Sequence, residues 1–63
     1  MKNIKRIRGS KGLSQCEVAN SLDVSQQAVA KWEAGEAMPR ADKLPEIARV
    51  LDCEVSDLFE KER

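Results

Sequence analysis

Gln26, Gln27 and Lys31 carry the most chemical information in this chain. Two adjacent carboxamides, with an ammonium four residues beyond the second, offer donors and acceptors but no nucleophile. A carboxamide donates and accepts at once, which suits the N6 and N7 edge of adenine in the major groove of duplex DNA; the ammonium can reach a base or a phosphate. Alanines at positions 28 and 30 keep the same stretch low, allowing close approach and contact with a thymine methyl. No comparable set supports catalysis. The chain lacks histidine, its carboxylates are scattered, and no nucleophile–base pair can be assembled. Cys16 and Cys53 alone are too few for a zinc site or a disulfide framework, so no metal and no cofactor is expected. Cys16 is expected to be exposed and Cys53 buried, and no neighbouring feature activates Cys16 as a redox switch.

These side chains need a rigid carrier, and the run from Gln15 to Glu33 supplies one. It reads as two short amphipathic segments joined by Leu22-Asp23-Val24-Ser25. Ala19 stands where the first segment would otherwise carry a bulky inward residue, and a methyl there lets a second helix cross close by, as a helix-turn-helix requires. Ser14 with Glu17 three residues on forms a capping box, and Ser25 is an N-cap for the next segment. Val29 and Trp32 form the inner face of that segment, so Trp32 is read as core and not as a stacking platform.

Five helical segments are expected in all, and no stretch alternates as a strand should. The first runs from Lys2 to Lys11 with Ile4 and Ile7 inward, and Gly12 stops it. The third ends at Gly35, and Ala34 to Arg40 is expected as a loop. The fourth starts near Ala41 or Asp42, with Asp42 as its cap and Pro45 in the opening turn, and buries Leu44, Ile47, Ala48 and Leu51. The last runs from Ser56, its N-cap, to Lys61; Leu58 turns inward, and Glu60 to Arg63 should fray. Phe59 either closes the bundle or joins a dimer contact with Val55 and Leu58.

Sixty-three residues make a single domain, residues 1–63, with a thin stability margin that a partner or a dimer would improve. No apolar run is long enough for a membrane span or a secretory signal, so a cytoplasmic address is expected. Net charge is zero, yet it is divided unevenly. Residues 1–34 carry six cations against three carboxylates, and residues 35–63 carry five against eight. A dipolar molecule can turn its basic part to phosphate and its acidic part to solvent.

The ordered set Gly12-Leu13-Ser14-Gln15, Val18-Ala19, Val24-Ser25-Gln26-Gln27, Val29, Lys31-Trp32-Glu33, Gly35, Pro39 and Leu44-Pro45-Glu46-Ile47-Ala48 resembles the lambda-repressor-like, Cro-type helix-turn-helix family, also called the XRE family. The resemblance extends from Ile4 to Phe59. It implies an all-α fold, a compact bundle of five short helices with a helix-turn-helix, that binds operator DNA as a homodimer and is weakly associated or monomeric when free. It implies a transcriptional regulator, a repressor, that reads the major groove with its third helix. Gln26 and Gln27 match a glutamine pair that reads base edges, and Lys31 would reach a base or a phosphate. Gln15 resembles a glutamine that bonds a phosphate and braces the recognition helix. Ser25 matches a small hydroxyl residue near the backbone or a thymine methyl. Arg40 and Lys43 are candidate backbone contacts, and Arg8 and Glu33 match positions that form a largely buried ion pair. Asp23 and Asp52 stand where the family commonly has glycine, and Glu36 where many members carry lysine. No small-molecule effector is implied. A reading from another class is a protein-interaction module of the same fold, of antitoxin or bridging-factor type, which the neutral charge and acidic second half would suit.

Overall fold

Apolar residues at helical spacing set the architecture. In the computed structural model, which describes residues 2–59, they fall on five helices: α1 (Lys2–Ser10), α2 (Gln15–Leu22), α3 (Gln26–Ala34), α4 (Leu44–Val50) and α5 (Val55–Phe59). No strand occurs among the described residues. Each helix contributes to one shared core: Ile4 and Ile7 from α1, Val18, Ala19 and Leu22 from α2, Val29 and Trp32 from α3, Ile47 and Ala48 from α4, Leu51 just beyond it, and Leu58 from α5. The packing of α2 on α3 is the most extensive of any helix pair. The side-chain amide of the buried Asn3 donates to the Asp57 carbonyl at 2.8 Å, which fastens α1 to α5.

Four of the helices end in the same way. Gly12, Asp23, Gly35 and Asp52 follow α1 to α4 in the left-handed conformation, with φ of 72°, 57°, 78° and 55°. In each case the next residue reaches back across the last turn: Leu13 N–H to Arg8 O at 3.1 Å, Val24 to Ala19 at 3.0 Å, Glu36 to Lys31 at 2.9 Å, and Cys53 to Ala48 at 2.9 Å. This is the Schellman closure, which satisfies carbonyls that the helix itself leaves without partners. Leu13, Val24 and Cys53 also rest against the core, as the apolar residue after such a closure commonly does. Glu36 departs from that pattern and is exposed.

Several boundaries differ from the expectation. The first helix ends at Ser10, and Ala34 belongs to α3 and not to the loop. Asp42 does not cap α4. A 3-10 turn occupies Ala41–Lys43, and the α-helix proper begins at Leu44 with no side-chain cap. Pro45 explains this. Its missing N–H is the donor that an α-helix starting earlier would direct to the Ala41 carbonyl, and that carbonyl takes the Leu44 N–H in the tighter turn instead. Leu44 is consequently half-buried, as is Cys53. Ser56 does not cap α5 but lies within it. The Asp57 carboxylate instead accepts from the Glu54 N–H at 2.9 Å, so the helix opens one residue earlier. Phe59 is 50% exposed and does not close the bundle as part of the core. The expected extension to Lys61 and the fraying of Glu60 to Arg63 fall outside the described residues.

Candidate nucleic-acid interface

The pair α2 and α3 is held by caps on both sides of its turn. Ser14 Oγ accepts from the Glu17 N–H at 3.0 Å while Glu17 Oε1 accepts from the Ser14 N–H at 2.9 Å, completing the capping box at the start of α2. Asp23 closes α2, and Ser25 Oγ accepts from the Ala28 N–H at 3.1 Å to open α3. Two helices separated by a three-residue turn therefore have little freedom to reorient. Ala19, 2% exposed, keeps the inner side of α2 shallow.

A second device fixes α3 from the side of α1. Arg8 forks onto Glu33, with Nε to Oε2 at 2.7 Å and Nη2 to Oε1 at 3.2 Å, and Gln15 Nε2 donates to the same Oε1 at 2.9 Å. The remaining terminal nitrogen of Arg8 donates to the Leu13 carbonyl at 2.9 Å. Both side chains of the pair are largely withdrawn from water. Burial alone would push the Glu33 carboxyl up, but hydrogen bonds from Arg8 and Gln15 and the charges of Arg8 and Lys5 outweigh it and hold the group below the usual range. The bond to Glu33 raises the Arg8 guanidinium in turn, against the opposing effect of burial. Two polar side chains, from α1 and α2, thus meet at one carboxylate near the end of α3.

The opposite side of α3 is open. Gln26, Gln27 and Lys31 are all exposed. Gln27, Ala30, Lys31, Ala34 and Glu36 line one broad, shallow groove along the helix. Gln27 and Lys31, one turn apart, share its wall, whereas Gln26 lies beside it, one residue step around the helix. Ala30 and Ala34 set a low floor, so a flat edge could approach the helix axis closely.

The four residues expected to hold a nucleic-acid backbone are placed differently from one another. Gln15 is half-buried, with its amide nitrogen engaged by Glu33; that group has two N–H bonds, so one remains for an external acceptor. The Ser25 oxygen is occupied as a cap, yet its own hydroxyl hydrogen is not used by that bond. Arg40 is exposed, with Nε 3.6 Å from Asp42 Oδ1. Lys43 is drawn inward: Nζ donates to the Leu22 carbonyl at 3.0 Å and lies 3.5 Å from Glu46. Lys43 therefore clamps the last turn of α2, a structural task that its sequence position did not reveal, because 21 residues separate it from Leu22. Among the described residues no cluster of histidine, cysteine or carboxylate side chains could hold a metal ion, and no helix is long and apolar enough to cross a membrane.

A family model described as helix-turn-helix matches residues 4–58. The chain is similar to the HTH-type transcriptional activator BcrR of Enterococcus faecalis, with 30% identity over 59 residues; that alignment covers 94% of this chain and 29% of the relative.

Proposed function

Because this chain belongs to the helix-turn-helix family, we propose that it binds duplex DNA in a sequence-specific way and regulates transcription, with no enzymatic step. The observation that carries the reading is the division of α3: one side is locked by Arg8 and Gln15 through Glu33, and the other presents Gln27 and Lys31 in an open groove. In this reading α3 lies in the major groove, as the second helix of such a pair does. Gln26 and Gln27 meet base edges. Lys31 reaches a base or a phosphate, and Gln15, Ser25 and Arg40 hold the backbone. Lys43, which spends one of its three N–H donors on the Leu22 carbonyl, joins them with another.

The α5 residues Val55 and Phe59, exposed by 37% and 50% and spaced one turn apart, support a homodimer on DNA. Two copies would then read half-sites about 34–36 Å apart. Occupying a promoter requires no surface beyond the DNA-binding one, so repression is the sign proposed, although the relative is named an activator. Residues 1–63 act as one domain, in the cytoplasm with the DNA.

Selection of duplexes from a random pool, followed by titration at several salt concentrations, tests this reading. Enrichment of one sequence is expected, with log K falling against log salt by about 0.9 for each phosphate neutralised. A chain that enriches no sequence and shows no salt dependence would instead be a protein-interaction module. A reporter carrying the selected site then gives the sign.

A further inference from the structure

Glu36 is unused by the reading above and yet lies in the groove on which that reading depends. Its backbone is fixed, because its N–H closes α3 onto the Lys31 carbonyl at 2.9 Å beside the left-handed Gly35. Its side chain is exposed and makes no hydrogen bond or ion pair among the described residues; Lys31, lining the same groove, is not paired with it. A cation and a carboxylate thus line one groove without forming an ion pair with each other.

Resting on the DNA-binding reading, we propose that Glu36 is a specificity-determining residue that accepts a hydrogen bond from the N4 amine of a cytosine in the major groove. A carboxylate can only accept, and this restricts its choice. Guanine presents N7 and O6, both acceptors, and thymine presents O4, so both repel it. Adenine offers its N6 amine beside the N7 acceptor, which a carboxylate meets unfavourably. Cytosine shows only the amine. Phosphates repel Glu36 as well, so the carboxylate penalises docking on unmatched sequence. Lys31 complements it, since guanine paired with that cytosine presents the acceptors an ammonium needs.

The test compares the unaltered chain with Glu36→Ala and Glu36→Gln. Each is used to select duplexes from a random pool, and affinities for the selected duplex and its single-base variants are read by fluorescence anisotropy at fixed salt. Glu36 is exposed, so the thermal midpoint of both variants should match that of the parent. The parent should demand cytosine at one position. Glu36→Ala should lose that preference by about five- to 150-fold, keep the others, and bind random duplex more tightly. Glu36→Gln should move the preference at that position toward adenine, whose N6 and N7 a carboxamide matches. The same selected sequence from all three chains, with an equal gain on every duplex for the two variants, would overturn the inference and leave Glu36 as a repulsive charge. Failure of the parent to enrich any sequence would overturn the DNA-binding reading itself, a result distinct from enrichment that ignores position 36.

Discussion

Glu33 and Lys31 stand two residues apart on α3 and live in different surroundings. Glu33 receives Arg8 and Gln15 and is nearly closed to water, whereas Lys31 lies in the open groove with Gln27 and Glu36. Both are charged, and residue type alone does not separate them. What separates them is who supplies the partner. The chain satisfies every bond that Glu33 needs, so Glu33 orients α3; it satisfies none for Lys31, so that cation is available to another molecule. One side of a nine-residue helix maintains the fold, and in the proposed reading the other meets DNA.

The contrast is broken most severely by removing one member of the locked side. Glu33→Ala leaves the Arg8 guanidinium largely buried without its partner, a loss of about 3–5 kcal/mol. A chain of this size has only about 3–9 kcal/mol in total, at roughly 0.05–0.15 per residue. Denaturant titration should find the midpoint of Glu33→Ala far below that of the parent, while the paired replacement Arg8→Met with Glu33→Leu should recover much of the loss. Recovery would show that the pair sets orientation more than stability.

The same node sets acid sensitivity. The folded-state pKa of Glu33 lies below its ordinary value, so its stabilising contribution is complete above that value and is lost as pH falls through the depressed one. Unfolding midpoints measured between about pH 6 and 3 should fall for the parent chain and fall less steeply for Glu33→Gln.

On the open side the effects should be smaller and confined to binding. Gln27→Ala should cost about 1–3 kcal/mol on the selected duplex and relax one base pair. Its unfolding free energy should stay within about 0.5 kcal/mol of the parent, as for an exposed residue without partners. An equal loss on every sequence would make Gln27 a backbone contact. Lys31→Ala sharpens the comparison further: if Lys31 holds a phosphate, the salt slope should shrink by about 0.9 and affinity should fall uniformly.

The smallest effect belongs to the helix closures. Two of them use glycine and two use aspartate in the same left-handed geometry. Asp tolerates that geometry at some cost, so Asp23→Gly and Asp52→Gly should each stabilise by up to about 1 kcal/mol. The Lys11 ammonium 3.8 Å from Asp52 adds little to retain the acid, because the carboxylate is 93% exposed. Thermal midpoints rising by a few degrees would check both.

Much of this was legible in the sequence because it rests on local chemistry. Ser14 with Glu17, Ser25 before α3, Gly35 after it and Ala19 on the inner stripe each act within a turn or two of their own position. The exposure of Gln26, Gln27 and Lys31 followed from their phase relative to Val29 and Trp32. Contacts that join distant segments were harder to foresee. Nothing near Lys43 marks it as a clamp on Leu22, and nothing near Asn3 points to the Asp57 carbonyl. The opening of α4 was misplaced because a 3-10 turn and the first turn of an α-helix share the same residue preferences, and only the accounting of Pro45's absent donor separates them. At α5, a serine in the right place competed with an aspartate one residue later, and the aspartate's reach to Glu54 prevailed.

The left-handed residues after α1 to α4 also have a stereochemical corollary. An L-amino acid adopts that conformation against its own preference, by about 1–2 kcal/mol, while its mirror image adopts it by default. A chemically synthesised chain with D-alanine at the solvent-facing Gly12 and Gly35 should therefore keep the bundle and gain stability from a more restricted unfolded ensemble. The four points where one helix yields to the next share the backbone handedness that a D-residue prefers.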